Sequence, residues 1–108
     1  MTEPEIRALF SRYEAAWRNQ DIAGLESVGQ IATQGQADAL KSYFESVKDL
    51  EVTVTIVAIT ITGDEARVRF VRHDRFRDPA GNVVAKDSPV IEKRVVRTPG
   101  GLRLAPPR

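Results

Sequence analysis

The spacing of apolar residues changes near residue 50, and this change limits the folds open to the chain. Before it, apolar side chains recur every three or four residues, which places them on one face of a helix. After it, apolar and polar residues alternate over 51–61 and 65–76, which places the apolar ones on one face of a strand. Helices followed by consecutive strands indicate an α+β fold with an antiparallel sheet.

Three helices are predicted in the first half. Thr2 and Glu5 have the spacing of a capping box, and the helix they begin is expected to end near residues 19–20. Asp21 is placed to cap a short second helix. The third helix is predicted over 37–49, where the apolar side chains again fall on one face.

Four strands are predicted in the second half, and the helices are expected to pack on one face of the curved sheet that they form. The predicted strands span 51–61, 65–76, 89–97 and 102–104. The first strand becomes apolar on both sides at Ile59 and Ile61, which predicts a bulge, a twist or a dimer contact.

Length and composition favour one small domain without a metal or cofactor. A chain of 108 residues has room for one core, and we assign 1–105 to the domain and 106–108 to a tail. Because the chain has no Cys and one His, we predict no disulfide and no metal site, and we predict no cofactor. No apolar run approaches the roughly 18 residues of a membrane span, and the acidic N-terminal residues are unlike a signal peptide, so we expect a cytoplasmic protein.

Charge is unevenly distributed, with an acidic first half and a basic second half. A solvated outer sheet face explains the basic residues better than a nucleic-acid site does. Phe70 and Phe76 are the only aromatic residues after residue 64, and nucleic-acid surfaces usually add aromatic side chains on which bases stack. We therefore predict no nucleic-acid partner.

The segment 13–25, YEAAWRNQDIAGL, resembles the opening of nuclear transport factor 2-like (SnoaL-like) proteins. In that family an aromatic, small-residue helix is followed by an acidic residue that begins the second helix. The hairpin over 51–76, with its Gly63-Asp64 turn, is similar to the family's long curved hairpin. The resemblance implies a cone-like fold with a pocket between the helices and the sheet.

Within this superfamily the chain is most similar to domains near the C-termini of bacterial multidomain proteins, including some serine/threonine kinases. Those domains pass from the third helix directly into a strand, as the segment LEVTV at 50–54 does here. The resemblance implies a non-catalytic accessory domain: a small-ligand-binding, dimerising or regulatory module.

One departure from the enzymatic members supports the same interpretation. Ketosteroid isomerases, scytalone dehydratases and polyketide cyclases usually carry a strand pair between the second and third helices, which often supplies a catalytic Asp or His. Here that interval is reduced to 29–36, which contains no charged residue and no His. The alternative function is a small lyase, isomerase or polyketide-cyclase-like enzyme acting on an apolar substrate, with Tyr13 and Asp74 as its catalytic residues.

Two groups of residues are candidates for a site. Tyr13 resembles the tyrosine with which ketosteroid isomerases stabilise an oxyanion, although a core tyrosine would fit the same position. Arg72 and Asp74 continue the inward series of Phe70, so they form either the polar end of a pocket that binds an anion or an internal ion pair, unless a bulge turns both to solvent. The same alternation places His73 on the outer face. The predicted ligand-binding residues, for a small apolar or anionic ligand, are Tyr13, Trp17, Phe44, Phe70, Arg72 and Asp74.

The outer face of the sheet is the predicted partner surface. If alternation continues without interruption, it carries Val57, Ile59, Ile61 and Val71. Such a patch favours a homodimer through the sheet face. The alternative is that the aliphatic parts of neighbouring arginines cover the patch and keep the chain monomeric.

Overall fold

The computed structural model describes residues 1–106 and has the predicted α+β architecture, three helices followed by a curled antiparallel sheet. Pro107 and Arg108, in the predicted tail, lie outside the described residues. No helix within 1–106 is long and apolar enough to cross a membrane. The elements are α1 (Glu3–Arg18), α2 (Ile22–Ser27), α3 (Gln34–Glu45), β1 (Lys48–Thr62), β2 (Glu65–Arg77), β3 (Val83–Asp87), β4 (Ile91–Thr98) and β5 (Gly101–Ala105).

Side-chain caps set the helix starts. The predicted capping box of α1 is present, because the Thr2 hydroxyl accepts from the Glu5 amide and the Glu5 carboxylate accepts from the Thr2 amide. The Asp21 carboxylate likewise accepts from a backbone amide at the start of α2.

The predicted bounds of α3 are wrong at both ends. Thr33 and Gln36 form a second capping box, so the helix begins three residues earlier than predicted. It ends at Glu45, because β1 pairs with β2 from Lys48 onward.

The sheet has the order β1-β2-β4-β5, and β3 also pairs with β2. We predicted one strand over 89–97 at this position and missed β3. β3 pairs with the C-terminal part of β2, and β4 pairs with the N-terminal part. The third position in the sheet is therefore divided between two short strands. Proline cannot donate to a ladder, and Pro89 lies at the break. There the Ser88 hydroxyl accepts a hydrogen bond from the Arg72 amide at 2.8 Å.

A bulge at Val57 changes the face of every later residue in β1. The register shifts between residues 56 and 58, after which Ile59 pairs with Val68 on the concave face. The predicted bulge is therefore present. The prediction that Ile59 and Ile61 share the outer face with Val57 and Val71 is wrong.

The core lies between α1 and the concave face of the sheet. The sequence pattern predicts seven core residues, and six of them are buried: Ile6, Phe10, Trp17, Phe44, Val68 and Phe70. The seventh, Val54, is only half-buried, because it lies on the edge strand β1.

Gly29 allows α2 to dock against β5. Its φ is +89°, and an added Cβ would lie 2.2 Å from the Leu104 carbonyl oxygen. The neighbouring Val28 carbonyl accepts from the Leu104 amide at 2.8 Å. This backbone contact holds the short helix over the far edge of the sheet, and no strand separates α2 from α3.

Candidate ligand-binding site

A cavity of about 460 Å³ opens between the helices and the concave face of the sheet. Its helical wall is apolar, and its strand wall supplies an ion pair. This is the usual composition of a small-molecule pocket, apolar walls with a few placed polar groups. The lining residues are Trp17, Leu40, Tyr43, Arg72, Asp74, Lys86, Asp87, Ser88 and Ile91.

Arg72 and Asp74 form the polar end of the cavity. They are neighbours on one face of β2, two residues apart, as the alternation predicts. The guanidinium donates to both carboxylate oxygens, from Nε at 3.2 Å and from Nη2 at 2.8 Å. The side chains are 13% and 16% exposed, so this bidentate pair is largely removed from water.

Two residues of α1 hold the guanidinium in place. Arg72 Nη1 donates to the Tyr13 hydroxyl at 3.3 Å. The Trp17 ring lies under the guanidinium, with its centroid 4.0 Å from the central carbon, the geometry of a cation–π contact. Tyr13 and Trp17 are one helical turn apart, so a single face of α1 supplies both contacts.

These contacts keep Arg72 charged and Tyr13 neutral. Burial disfavours the charged form of Arg72, but Tyr13 and Asp74 more than offset it, so the pKa of Arg72 is raised. Burial also raises the pKa of the Tyr13 hydroxyl above its ordinary 10.0, although the Arg72 charge opposes the change. The nearby Trp17 indole N–H, like Arg72, lowers the pKa of Tyr13. The Trp17 Nε1 nevertheless has no partner of hydrogen-bond geometry within residues 1–106.

The six predicted ligand-binding residues divide into two groups. Trp17, Arg72 and Asp74 line the cavity, and Tyr13 lies directly behind Arg72. Phe44 and Phe70 do not line it. Phe70 is fully buried and packs edge-on against Tyr13 at 5.9 Å between ring centroids, and Phe44 packs against Trp17 in the same way.

His73 lies on the outer face, as predicted. Its Nδ1 is 2.7 Å from Asp87 Oδ1, and both side chains are exposed. Asp87 pairs with His73 across β2 and β3 and lines the cavity, whereas His73 is not one of its lining residues.

Sequence reasoning missed several residues around the cavity. The sequence pattern did not single out Leu40 or Tyr43 of α3 as lining residues. Lys86, Asp87 and Ser88 belong to β3 or follow it, and that strand was not predicted. Lys93 was also missed, although its position two residues after Ile91 in an alternating strand indicates the concave face.

Comparison with known proteins identifies the architecture. No family model and no curated protein matches the sequence. Among solved structures, a conserved protein from Planctomyces limnophilus superposes with a TM-score of 0.80 at 20% identity, over 95% of this chain and 90% of that one. A protein from Streptomyces avermitilis, described as a proposed dehydratase of the NTF2-like family, gives 0.72 at 17% identity, over 94% and 90% of the two chains. The chain has the nuclear transport factor 2-like fold.

A further structural neighbour of this fold comes from Kribbella flavida. It superposes with a TM-score of 0.71 at 22% identity, over 94% of this chain and 84% of that one. The nuclear transport factor 2-like fold accounts for the cavity's position between the helices and the concave side of the curled sheet. At these identities the similarity describes architecture, and the chemistry of the site has to be argued from its own residues.

Proposed function

We propose that this nuclear transport factor 2-like domain is a non-catalytic module that binds a small, largely apolar molecule. The observation that carries the proposal is the cavity itself, with Trp17, Leu40, Tyr43 and Ile91 as apolar walls and one braced ion pair at its end. Arg72 and Asp74 are held by each other and by α1, so they can orient a polar group of the ligand without rearranging.

The state of Asp74 argues against catalysis. A general base has to reach the substrate proton that it removes. Both oxygens of Asp74 already accept from Arg72, so a substrate proton would compete with the guanidinium for this carboxylate. Tyr13 is 1% exposed and its hydroxyl lies behind the guanidinium, so a ligand in the cavity meets Arg72 first.

The ligand-binding proposal predicts that an uncharged aromatic probe enters the cavity. Trp17 is the only Trp and lines the cavity, so binding of N-phenyl-1-naphthylamine should quench its fluorescence. Leu40→Asp places a carboxylate in the apolar wall and should weaken binding about tenfold or more, since burying a charge is costly. Ala39→Asp adds the same charge at the adjacent exposed position and should leave binding unchanged. Equal binding by both variants, or a wild type that binds neither this probe nor its anionic analogue, would contradict the proposal.

The alternative is a small lyase or isomerase that uses Asp74 as base and Tyr13 to stabilise an oxyanion. The contact with Arg72 favours it, because the Tyr13 oxygen accepts from the guanidinium and the phenol O–H can then donate to a developing negative charge. Incubating the protein with apolar ketones in D2O tests this alternative by mass spectrometry. Deuterium incorporation that is lost in Asp74→Asn and Tyr13→Phe would replace the non-catalytic proposal with an enzymatic one.

The accessory role in a larger assembly is part of the same proposal. The similarity of 50–54 to C-terminal domains of bacterial multidomain proteins, including kinases, supports a sensing or dimerising module. We also propose that two copies associate through the outer face of the sheet.

A further inference from the structure

Positive charge exceeds negative charge on the concave face of the sheet beside the cavity. Arg72 and Asp74 neutralise each other at 2.8 Å. Lys93 lies on the same concave face, because it pairs with the inward-facing Val68, and Ile91, two residues earlier on β4, lines the cavity. Lys86 and Asp87 also line the cavity, so three cations share this part of the sheet with two carboxylates.

Lys93 has no counterion within residues 1–106. It is half-buried, and neither a carboxylate nor a hydrogen-bond acceptor lies within bonding distance of its ammonium group. Burial lowers the pKa of Lys93 below its ordinary 10.5, and the positive charge of Arg72 lowers it further. A partly buried, unpaired cation is unfavourable, so an anion bound beside it would be stabilised.

Arg72 can contribute to the same anion. Its side chain makes three hydrogen bonds, one from Nε, one from Nη1 and one from Nη2. One N–H on each terminal nitrogen is therefore left without an acceptor in the described part of the chain. The helical residues that line the cavity, Trp17, Leu40 and Tyr43, carry no charge, so nothing on that wall repels an anion.

We propose that the cavity binds an organic anion whose single negative group lies between Arg72 and Lys93 and whose apolar body lies along Leu40, Tyr43 and Ile91. This inference rests on the proposed ligand-binding function and specifies the ligand's chemistry. The free end of Arg72 supplies directed hydrogen bonds, and Lys93 supplies the unbalanced charge.

Two fluorescent probes that differ mainly by one anionic group test the inference. 8-Anilinonaphthalene-1-sulfonate carries a sulfonate, and N-phenyl-1-naphthylamine has the same ring skeleton without it. We expect the sulfonate probe to bind about tenfold more tightly, the effect of one charge-assisted contact. Lys93→Met keeps most of the length of the side chain, removes its charge and should abolish this preference. Lys41→Met removes the same charge from an exposed position on α3 and should retain it.

The outcomes separate the two proposals. If the uncharged probe binds but the sulfonate probe binds no better, or if Lys93→Met keeps the preference, the anion inference fails and the ligand-binding function stands. If neither probe binds, the ligand-binding function fails. A measurement on the wild type covers the case in which Lys93→Met does not fold. Raising NaCl from about 0.05 M to about 0.5 M should weaken only the sulfonate probe, and equal weakening of both probes would contradict the inference.

Discussion

The side chain of Arg72 connects the sheet to helix α1. It is bonded to Asp74 on its own strand, to the Tyr13 hydroxyl on α1 and, by stacking, to the Trp17 ring. Because all of these groups are largely buried, removing one partner leaves a polar group that water cannot easily reach. The ion pair therefore has a structural role whether or not a ligand is present.

Tyr13→Phe tests this role. The substitution leaves Arg72 Nη1 without its acceptor and should lower the free energy of unfolding by about 1–2 kcal/mol, measured by urea denaturation at pH 7. Tyr43→Phe is the matched control, since the half-buried Tyr43 hydroxyl makes no hydrogen bond within residues 1–106. Equal losses in the two variants would show that the Tyr13 hydroxyl contributes nothing specific.

The stability difference between the wild type and Tyr13→Phe should depend on pH in a predictable direction. The pKa of Tyr13 is raised in the folded state, so this group's stabilising contribution is complete below the unfolded value of 10.0 and is lost as pH rises through the folded pKa. The depressed pKa of Lys93 has the opposite effect, since its penalty disappears as pH rises toward 10.5. The free energy of unfolding is measured against pH for the wild type and for Tyr13→Phe, and the difference between the two curves removes the Lys93 contribution. This difference should shrink above pH 10.0. A constant difference would show that Tyr13 does not titrate at a raised pKa.

At the scale of elements, the long strand β1 is an edge of the sheet. Edge strands present unpaired backbone groups to other chains unless something covers them. Here Glu14 of α1 accepts a hydrogen bond from the Val54 amide at 2.8 Å, so a helix side chain occupies part of the exposed edge. The same carboxylate lies 3.8 Å from Arg18.

Removing the Glu14 carboxylate should weaken this edge. Glu14→Ala should lower the free energy of unfolding by about 1 kcal/mol and speed hydrogen exchange at the Val54 amide. Glu14→Gln keeps an oxygen acceptor and should fall between the wild type and the alanine variant. Unchanged exchange at Val54 in Glu14→Ala would show that the hydrogen bond is not maintained in solution.

For the whole molecule, the outer face of the sheet is the proposed dimer contact. Since the bulge moves Ile59 and Ile61 to the concave side, the proposed dimer contact is reduced to Val57, which is 57% exposed, and the half-buried Val71. The sheet-face dimer therefore rests on a smaller apolar patch than the alternation predicts.

Sedimentation velocity at micromolar concentration tests the dimer. We expect the wild type to sediment as a dimer and Val57→Arg as a 12.0 kDa monomer, because a charge at the centre of a twofold contact is repeated on both copies. Ile61→Arg, on the concave face, should leave the dimer intact. A wild-type monomer would end the dimer proposal, and dissociation by Ile61→Arg alone would place the contact elsewhere.

Local pattern was sufficient for the fold class and for part of the site. The capping box at Thr2 and Glu5 and the alternation that turns Arg72 and Asp74 inward depend on residues close in sequence, and both are present in the structure. Long-range pairing decided the rest. The bulge at Val57 and the separate strand β3 are defined only by pairing with β2. The cavity walls from α3 and the unpaired charge of Lys93 exist because distant segments pack together, and no local spacing specifies which side chains then meet.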